Sequence, residues 1–446
     1  MYLRNQKFLI MGASKSGYAV IKYLLDKGAA CCVYEELKSA KAQDALAKLN
    51  ELGVENLSIG QVGERLKEFD VLVLSPGVPI NHEIAVRAKS LGKRIVGEIE
   101  FAYSQFIPPI IAVTGTNGKT TTVTLIDEIM KDAKVKSELV GNVGVPFTSR
   151  LNDIDSNTVC IAEISSYQLE SIYAFMPHIT CILNIAPDHL ERHYSMENYV
   201  FLKKRIFKNQ RESEYSVLNF DDPIVKSFYT EIKAKVIWVS VKDKVDGAYR
   251  KDGKLYYLDE CVMDENQLKI KGEHNVYNAL FAIACAKLMG VDSQTIKDAL
   301  AQFKGVKHRV QFVCNKNGVD YFNDSKATNT ASTISALDSL NKPIILILGG
   351  SEKGEDYQIL FEKIKSKEVK HVILTGASRF NMLDCAGKLG VSDVTVTEDF
   401  FFAIKIASLF ANEGDAVLLS PACASFDKFN CFEERGNAFI KAVEEL

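Results

Sequence analysis

A glycine-rich loop near residue 115 contains the residue types of a phosphate site. Four apolar residues, as in a buried strand, precede Gly115-Thr-Asn-Gly-Lys-Thr-Thr121, and the end of this run begins a predicted helix. Gly115 and Gly118 would let the backbone pass close to an anion, and the amides at a helix start point toward it. Lys119 supplies positive charge for the outer phosphates, and the Thr120 hydroxyl suits Mg²⁺. The loop therefore predicts binding of a nucleoside triphosphate.

The loop differs in spacing from the common phosphate-binding motif. That motif is G-x-x-x-x-G-K-[ST], and here Val113 stands at the position of its first glycine. A strand, turn and helix without any ligand is the alternative interpretation. The Gly-Lys-Thr-Thr sequence directly after an apolar strand argues against that alternative.

Candidate metal ligands follow two other predicted strands. Glu163 ends the apolar stretch 158–163, and His189 follows the stretch 180–184. A carboxylate at a strand tip near a phosphate loop commonly binds Mg²⁺ through oxygen, whereas His is a less usual ligand. His189 therefore keeps the alternative of a hydrogen-bonded structural residue. For the run Lys203-Lys-Arg205 the alternative is a solvated helix face without a role in the site.

A second glycine-rich turn lies near the amino terminus. Apolar residues 8–11 precede Gly12-Ala-Ser-Lys-Ser-Gly17, which is followed by a predicted helix to about residue 26 and a strand at 30–34. This order is typical of the opening βαβ unit of a dinucleotide-binding fold. Ser14 stands where a second glycine would let a pyrophosphate approach, and Glu35 could accept a hydrogen bond from a sugar hydroxyl. A nicotinamide or flavin site, a site for another nucleotide diphosphate and a purely structural turn all remain open.

The elements that must position these residues alternate between strands and helices along most of the chain, whereas short strand-like pieces dominate between about 210 and 270. Each predicted strand ends in a polar or glycine turn, which places candidate sites at the carboxyl ends of parallel sheets. Pro108-Pro109 marks a change of segment, and a third series of such strands starts near Gly305. We therefore predict an α/β protein of three domains, with boundaries at 1–97, 98–304 and 305–446.

Composition excludes several classes of protein. The 446 residues include 54 Lys and Arg against 57 Asp and Glu. The net charge of −3 therefore lacks the excess of positive charge that is typical of nucleic-acid-binding proteins. No apolar run reaches the roughly 18 residues of a membrane helix, and the amino terminus is too weakly apolar for a signal peptide. The ten Cys include no C-x-x-C pair, so they indicate neither zinc nor a disulfide framework. We expect a cytoplasmic protein without nucleic-acid or membrane partners.

Six segments together resemble the Mur ligase family, and they occur in that family's order. They are Gly115-Thr-Asn-Gly-Lys-Thr-Thr121, Glu163-Ile-Ser-Ser-Tyr-Gln-Leu-Glu170, Asn184 with Asp188-His189, Gly272-Glu-His-Asn275 with Asn278, His308-Arg309 and Asn323-Asp-Ser-Lys-Ala-Thr328. Within the family, Ser420-Pro-Ala-Cys-Ala-Ser-Phe-Asp427 and Phe432-Glu-Glu-Arg-Gly436 resemble the members that add D-glutamate.

The resemblance implies an ATP-dependent, ADP-forming ligase. Its substrates would be UDP-N-acetylmuramoyl-L-alanine and D-glutamate, which are joined through an acyl phosphate in cytoplasmic peptidoglycan precursor synthesis, and so in cell-wall formation, cell shape, division and the cell cycle. It also implies a monomer with a Rossmann-like UDP-sugar-binding domain at 1–97, a central P-loop-type ATP-binding domain with a parallel sheet at 98–304, and a Rossmann-like amino-acid-binding domain at 305–446.

The resemblance also assigns site residues. Catalysis would fall to Lys119, Glu163, His189 and Lys203. One Mg²⁺ would lie on Thr120 and Glu163, and a second on Glu163, His189 and a carbamate formed on Lys203 from CO₂, with Lys204 as the competing lysine. ATP would contact Gly115, Thr116, Asn117, Gly118, Lys119, Thr120, Thr121, Asn275, Asn278, Arg309 and Asp324. The UDP substrate would contact Gly12, Ser14, Lys15, Ser16, Glu35, Ser75, Gly77, Asn81 and Asn142. D-Glutamate would contact Lys326, Thr328, Lys353, Ser425, Phe426 and Phe432.

Three alternative functions remain open from the sequence. The nearest is another ligase of the same superfamily, such as a folylpolyglutamate synthase or a ligase for a different amino acid. A nucleotide-binding regulator without turnover is a second alternative, which intact Lys119, Glu163, His189 and Lys203 argue against. A nicotinamide dehydrogenase is the third, and Ser14 argues against it.

Overall fold

The computed structural model describes residues 3–36, 40–351 and 356–446, and three β-sheets with flanking helices organise them. The predicted α/β fold with three sheet-centred domains is confirmed. By compactness the chain forms two units, Met1–Leu268 with Val276–Phe303, and Lys269–Asn275 with Lys304–Leu446. The first unit contains the first two sheets and the second contains the third. The boundaries at 97 and 304 stay predictions.

The first sheet is wholly parallel, and its middle strands are the most buried. Its strands are β1 (Lys7–Met11), β2 (Ala30–Tyr34), β3 (Glu55–Asn56), β4 (Val71–Leu74) and β5 (Arg94–Gly97), and the helices of this part are α1 (Lys15–Asp26), α2 (Ala40–Glu51), α3 (Ile59–Arg65), α4 (Glu83–Ser90) and α5 (Glu98–Gln105). The strand order is β3-β2-β1-β4-β5. All four residues of β4 are buried, as the continuous apolar run of a parallel strand covered on both faces predicts.

The second sheet has a parallel centre and an antiparallel edge. Its strands are β6 (Ile110–Thr114), β7 (Ser137–Gly141), β8 (Val159–Glu163), β9 (Ile179–Ile182), β10 (Tyr215–Asn219), β11 (Lys235–Ser240), β12 (Gly247–Lys251), β13 (Lys254–Tyr257) and β14 (Glu260–Asp264). The helices are α6 (Lys119–Asp132), α7 (Ser166–Leu169), α8 (Leu190–His193), α9 (Met196–Lys204), α10 (Pro223–Ser227), α11 (Glu273–Leu288) and α12 (Ser293–Gln302). The order is β14-β13-β12-β11-β10-β9-β6-β8-β7, and the pairs β12–β13 and β13–β14 are antiparallel.

The third sheet is also parallel except at one edge. Its strands are β15 (Gln311–Lys316), β16 (Val319–Asn323), β17 (Ile344–Gly349), β18 (Val369–Thr375), β19 (Val394–Val396) and β20 (Ala416–Leu419), and its helices are α13 (Thr330–Ser339), α14 (Gln358–Ser366), α15 (Arg379–Leu389), α16 (Phe400–Phe410) and α17 (Phe432–Glu444). The order is β15-β16-β20-β17-β18-β19, with β15 antiparallel to β16.

Two-residue turns explain the antiparallel edges, which the prediction of parallel sheets did not include. Asp252-Gly253 joins β12 to β13, and Asn317-Gly318 joins β15 to β16. All four residues have positive φ, at 51°, 69°, 52° and 79°. Asp-Gly and Asn-Gly favour that conformation, and such turns connect antiparallel neighbours. The signal was therefore present in the sequence at both positions.

Strand order brings the candidate segments to common edges. The strands β9, β6 and β8 are neighbours, so the phosphate loop, Glu163 and the residues after Ile182 meet at one carboxyl edge. The strands β1 and β4 are neighbours in the first sheet, and β16 and β20 in the third. Ligands of open α/β sheets bind at such edges.

None of the helices in the described ranges combines the length and apolar character needed to cross a membrane.

Candidate active site

The phosphate loop depends on two glycines for its path from β6 to α6. Gly115 has φ of 149° and Gly118 has φ of 87°, and Gly118 caps the start of α6. A Cβ atom on Gly118 would lie 2.5 Å from Oδ1 of Asn278. Only glycine combines this conformation with the lack of a side chain. The glycine that the phosphate-loop motif places before the lysine is therefore required here for steric reasons.

Asn184, just beyond β9, holds the loop from the side. Its Oδ1 accepts a hydrogen bond from the Asn117 amide at 2.8 Å, and its Nδ2 donates to the Asn117 carbonyl at 3.0 Å. Its own carbonyl accepts from the Thr116 amide at 3.0 Å. These three bonds fix three consecutive peptide units of the loop, from Gly115 to Gly118. Asn184 belongs to one of the family segments, but the sequence predicted no role for it.

Lys119 and Lys203 approach the loop from opposite parts of the sequence. Lys119 Nζ donates to the carbonyls of Gly115 and Thr116 at 2.8 and 2.7 Å. Lys203 Nζ, which comes from α9, also donates to the Gly115 carbonyl at 2.8 Å. One carbonyl oxygen therefore accepts from both lysine side chains.

Thr120 and Glu163 form the part of the site that fits Mg²⁺. The Thr120 hydroxyl donates to Oε2 of Glu163 at 2.7 Å, and both residues are buried. The other carboxylate oxygen accepts from Nδ2 of Asn142 at 2.6 Å. A hydroxyl and a carboxylate side by side are the oxygen ligands that Mg²⁺ prefers. No group of three His, Cys, Asp or Glu able to hold a metal occurs among the described residues, so a metal here would rely on hydroxyl, substrate and water oxygens as well.

His189 lies in a strained turn beside this edge. It precedes α8 with φ of 54°, a left-handed conformation that is uncommon for a residue other than glycine. Its Nε2 is 3.6 Å from Oδ2 of Asp188, and its ring packs on that of Tyr167 with centroids 5.1 Å apart. Backbone strain of this kind is concentrated at functional sites, which supports the choice of His189 from the sequence.

Lys203 is 2% exposed and is the more buried of the two candidate lysines. Burial lowers its pKa well below the usual value, and the nearby charge of Lys119 lowers it further, while Asp188 and Glu163 act in the opposite direction. Lys204 instead pairs with the carboxylate of Glu231. A neutral amine is the form that reacts with CO₂, so the geometry favours Lys203 over Lys204 as the carbamate position.

The first sheet places most of the residues predicted for the UDP substrate around Gly12. Gly12 has φ of 95°, and its carbonyl accepts from the Ser75 hydroxyl at 3.0 Å. Oε2 of Glu35 accepts from the Ala13 amide at 2.7 Å, which ties β2 to the turn. Ser14, Lys15 and Ser16 form the start of α1, and Gly77 and Asn81 are exposed in the loop after β4. Asn142 lies elsewhere, at Glu163.

The third sheet places Asp324 and Arg309 close enough to interact. Asp324 is fully buried, and its two oxygens accept from the Ser420 hydroxyl at 2.6 Å and the Val310 amide at 3.1 Å. Burial raises its pKa to about 6, and the Arg309 charge opposes that shift. The buried Nε of Arg309 is a hydrogen-bond donor that has no acceptor within the described residues.

The residues predicted for D-glutamate are spread over the second unit. Lys326 Nζ lies 5.2 Å above the centre of the Phe432 ring. Ser425 is buried, Thr328 is half-buried and Phe426 is 72% exposed. Lys353 lies outside the described residues.

The two asparagines predicted for adenine differ in environment. Asn275 Nδ2 donates to the Lys271 carbonyl at 2.8 Å near the surface. Asn278 is 4% exposed, and its Oδ1 accepts from the Thr122 hydroxyl at 3.2 Å below the phosphate loop. The spacing of the two residues did not predict that Asn278 supports the loop, because that contact depends on how α11 packs against α6.

Glu170 and Arg192 form an ion pair that the sequence did not predict, at 2.7 Å from Nη2 to Oε2. Glu170 ends the segment that begins at Glu163, and Arg192 follows His189 in the sequence. Their pairing depends on α7 lying beside α8, which spacing alone does not predict.

Three family models match the chain in sequence order. The Mur ligase MurD-like N-terminal domain matches residues 6–97, the Mur ligase middle domain matches 113–286, and the Mur ligase glutamate ligase domain matches 308–423.

Similar proteins match over the whole chain. A UDP-N-acetylmuramoylalanine–D-glutamate ligase of Caldanaerobacter subterraneus subsp. tengcongensis is 42% identical over 450 residues, covering 100% of both chains. A protein of the same name in Clostridioides difficile (strain 630) is 40% identical over 451 residues, again with 100% of both chains covered.

Solved structures show a similar fold at low identity. The UDP-N-acetylmuramate–alanine ligase MurC of Thermotoga maritima has a TM-score of 0.63 at 18% identity and covers 99% of each chain. MurF of Acinetobacter baumannii has a TM-score of 0.65 at 17% identity, covering 93% of this chain and 91% of its own.

Proposed function

This chain belongs to the Mur ligase family, and we propose that it joins D-glutamate to UDP-N-acetylmuramoyl-L-alanine at the expense of ATP. Its relatives at 40–42% identity over their full length bear the name of that activity. The observation that carries the proposal is the meeting of the phosphate loop, the Thr120–Glu163 pair and a buried lysine at one sheet edge. That set combines triphosphate binding with groups suited to activating a carboxylate.

The reaction would proceed in two substitutions. The alanine carboxylate of the UDP substrate attacks the γ-phosphorus of ATP, releasing ADP and forming an acyl phosphate. The amine of D-glutamate then attacks the acyl carbon, and phosphate leaves. Because the reactants are all anionic, the site must supply positive charge and fixed donors between them.

Each part of the chain has a defined task in this scheme. The loop amides held by Asn184 and the Lys119 ammonium would bind the β and γ phosphates. Mg²⁺, held by Thr120 and Glu163 and at a second position by Glu163, His189 and the Lys203 carbamate, would supply Lewis-acid stabilisation of the phosphates when bound. The burial of Thr120 and Glu163 would keep water away from the acyl phosphate.

The remaining assignments extend the proposal to the other two sheets. The turns at Gly12 and after β4 would bind the UDP moiety. Arg309 and Asp324 would contact ATP from the third sheet, and the positions around Lys326, Ser425 and Phe432 would bind D-glutamate. The enzyme would act as a monomer in the cytoplasm, in the synthesis of peptidoglycan precursors.

An amino-acid panel tests the proposal directly. Purified protein is incubated with ATP, Mg²⁺, UDP-N-acetylmuramoyl-L-alanine and one amino acid at a time, and phosphate release and product mass are measured. We expect turnover with D-glutamate alone, and none in the Lys119→Ala variant, which controls for contaminating ATPases. Turnover with folate substrates or with a different amino acid only would overturn the proposal, and ATP binding without any turnover would indicate a regulator.

A further inference from the structure

Arg192, in α8, makes three directed contacts that the proposed function does not use. Its Nε and Nη2 donate to the two carboxylate oxygens of Glu170, at 3.2 and 2.7 Å. Its Nη1 donates to the carbonyl of Gly77 at 3.3 Å. The side chains of Arg192 and Glu170 are 18% and 10% exposed, so this ion pair is largely removed from water.

The partners of Arg192 belong to two different sheets of the first unit. Glu170 directly follows α7, at the carboxyl edge of the second sheet, where the phosphate loop also lies. Gly77 lies in the loop after β4 of the first sheet, where the UDP moiety is proposed to bind. One guanidinium therefore joins the loop after β4 to the edge that contains Glu163.

Arg192 is also connected to the turn at His189. Its backbone amide donates to the His189 carbonyl at 3.1 Å. Its guanidinium lies 5.2 Å from the centre of the Tyr167 ring, and the same ring packs against His189. Movement of Arg192 would therefore disturb both the loop after β4 and the orientation of His189.

The contact pattern requires the shape of arginine as well as its charge. A planar guanidinium can donate two parallel bonds to a carboxylate and a third bond to a carbonyl in another direction. A lysine ammonium keeps the charge but cannot hold these three acceptors in a fixed arrangement. Replacing Arg192 with lysine should therefore disturb these contacts even though the charge is kept.

We propose that Arg192 is a positioning residue, which holds the loop after β4 at a fixed place relative to the His189 turn so that the carboxylate of a UDP-bound substrate reaches the phosphate loop. The inference rests on the proposed function, because it assumes that the UDP moiety binds at the first sheet while the carboxylate reacts at the second. A substrate held at both ends needs a fixed distance between its two binding regions.

Kinetics of Arg192→Lys and Arg192→Gln separate positioning from simple stabilisation. We expect kcat to fall by about tenfold to a hundredfold in both, since misplacement of reacting groups by about 1 Å has effects of that size. The KM for the UDP substrate, and its Kd measured calorimetrically without ATP or Mg²⁺, should stay within about threefold of wild type, because each binding region remains intact. Arg65→Lys is the matched control, since Arg65 pairs with Glu55 at 2.8 Å in the first sheet.

Hydrogen exchange supplies a readout that does not depend on activity. We expect the amides of residues 76–82 to exchange faster in both Arg192 variants and at the wild-type rate in Arg65→Lys. An Arg192→Lys variant with kcat within about twofold of wild type, or with unchanged exchange in this loop, would overturn the proposal.

Glu170→Gln alone decides the matter if the Arg192 variants are poorly folded, because glutamine keeps the shape of the side chain. We expect it to lower kcat by a smaller factor and to speed exchange in the loop after β4, and no change in either would overturn the proposal. If the Arg192 variants fold, the double variant Arg192→Lys/Glu170→Gln should be no slower than Arg192→Lys alone, since one pair is being broken. Additive losses would overturn the idea that the pair acts as a unit. If wild type itself shows no D-glutamate-dependent turnover, the proposed function fails instead, and that outcome is visible before any variant is made.

Discussion

Lys203 illustrates how surroundings decide the chemistry of a single side chain. A lysine ammonium in water keeps its proton up to a pH of about 10.4, and in that form it does not react with CO₂. Burial and the neighbouring Lys119 lower the pKa of Lys203. The lowered pKa favours the neutral amine that the proposed carbamylation requires, and that reaction would turn the amine into an anionic, carboxylate-like ligand.

Replacing Lys203 tests this chemistry. We expect Lys203→Ala to lose most of its ligase activity, because the site then lacks the proposed carbamate oxygens. A small added carboxylate such as acetate should restore part of the activity by occupying the space left by the side chain. Rates of phosphate release with and without acetate measure both effects.

Lys204→Ala is the matched control for that experiment. Lys204 follows directly in the sequence but pairs with Glu231 and lies 5.4 Å from the centre of the Phe228 ring. We expect activity within about twofold of wild type and no response to acetate, as for a partly exposed ion pair. Full activity in Lys203→Ala would rule out a carbamate at that position.

Asp324 predicts a pH dependence of stability. Its pKa of about 6 in the folded chain exceeds the ordinary 3.8, so folding favours the protonated carboxyl. The resulting stabilisation is fully present below pH 3.8 and is lost as pH rises through 6. For the wild type this loss amounts to about 3 kcal/mol, at 1.36 kcal/mol per pKa unit. The free energy of unfolding of Asp324→Asn, relative to wild type, should increase by that amount between pH 4 and 7.

Asp320→Asn is a control of opposite sign on β16, the strand that Asp324 directly follows. Burial raises the pKa of Asp320, but hydrogen bonds from Lys342 and Asn315 outweigh that effect, so the pKa is lowered. Its stabilising contribution is present above the unfolded pKa and is lost in acid. Asp320→Asn should therefore lose stability relative to wild type as pH rises from acid to neutral. Parallel pH profiles for the two variants would contradict both pKa directions.

At the scale of elements, the phosphate loop joins a strand to a helix in a conformation that only glycine tolerates. We expect Gly118→Ala to lose about 1 kcal/mol from its positive φ and a further 1–3 kcal/mol, roughly, from the contact with Asn278. The loop would also shift away from the triphosphate, so ATP affinity should fall. Urea unfolding and calorimetric ATP titration measure the two effects.

Gly53→Ala separates the two contributions. Gly53 has φ of 77°, and a Cβ atom there would meet open space. We expect this variant to lose only the backbone contribution of about 1 kcal/mol and to bind ATP normally. Equal losses in Gly53→Ala and Gly118→Ala would mean that Asn278 does not restrict the loop.

Features that depend on neighbouring residues in the sequence could be predicted, whereas contacts that depend on the packing of distant elements could not. Apolar strands followed by glycine turns predicted β1, β6 and their loops, because strand and turn are neighbours in sequence. The Asp252-Gly253 and Asn317-Gly318 hairpins carried a readable signal that the analysis did not use. The support of Gly118 by Asn278 carried none, since 160 positions separate the residues and only the docking of α11 joins them.

At the scale of the whole molecule, the two compact units have cores of their own. Three core clusters on the first two sheets consist of residues between 3 and 238, and α11 and α12 add further buried residues to the same unit. Those on the two faces of the third sheet consist of residues between 310 and 443. Separate cores favour separate unfolding, because cooperativity depends on shared buried contacts.

Calorimetry should therefore show two unfolding transitions. A non-hydrolysable ATP analogue with Mg²⁺ should raise the transition of the unit that contains the phosphate loop, since a ligand stabilises the state that binds it. Hydrogen exchange between the two midpoints assigns each transition to its unit, and Lys119→Ala should remove the shift. A single transition in which both units unfold together would contradict this prediction.

If Lys203 carries the proposed carbamate, the carbonyl of Gly115, which accepts from both Lys119 and Lys203, would link nucleotide binding to carbamylation thermodynamically. A triphosphate that draws Lys119 away from the Gly115 carbonyl would leave Lys203 as the remaining lysine donor to that oxygen. It would also change the charge next to Lys203. The linkage is reciprocal: if dissolved CO₂ changes the affinity for nucleotide by some factor, nucleotide must change the affinity for CO₂ by the same factor. The bicarbonate content of a buffer would then be a variable in measurements of ATP affinity on this protein.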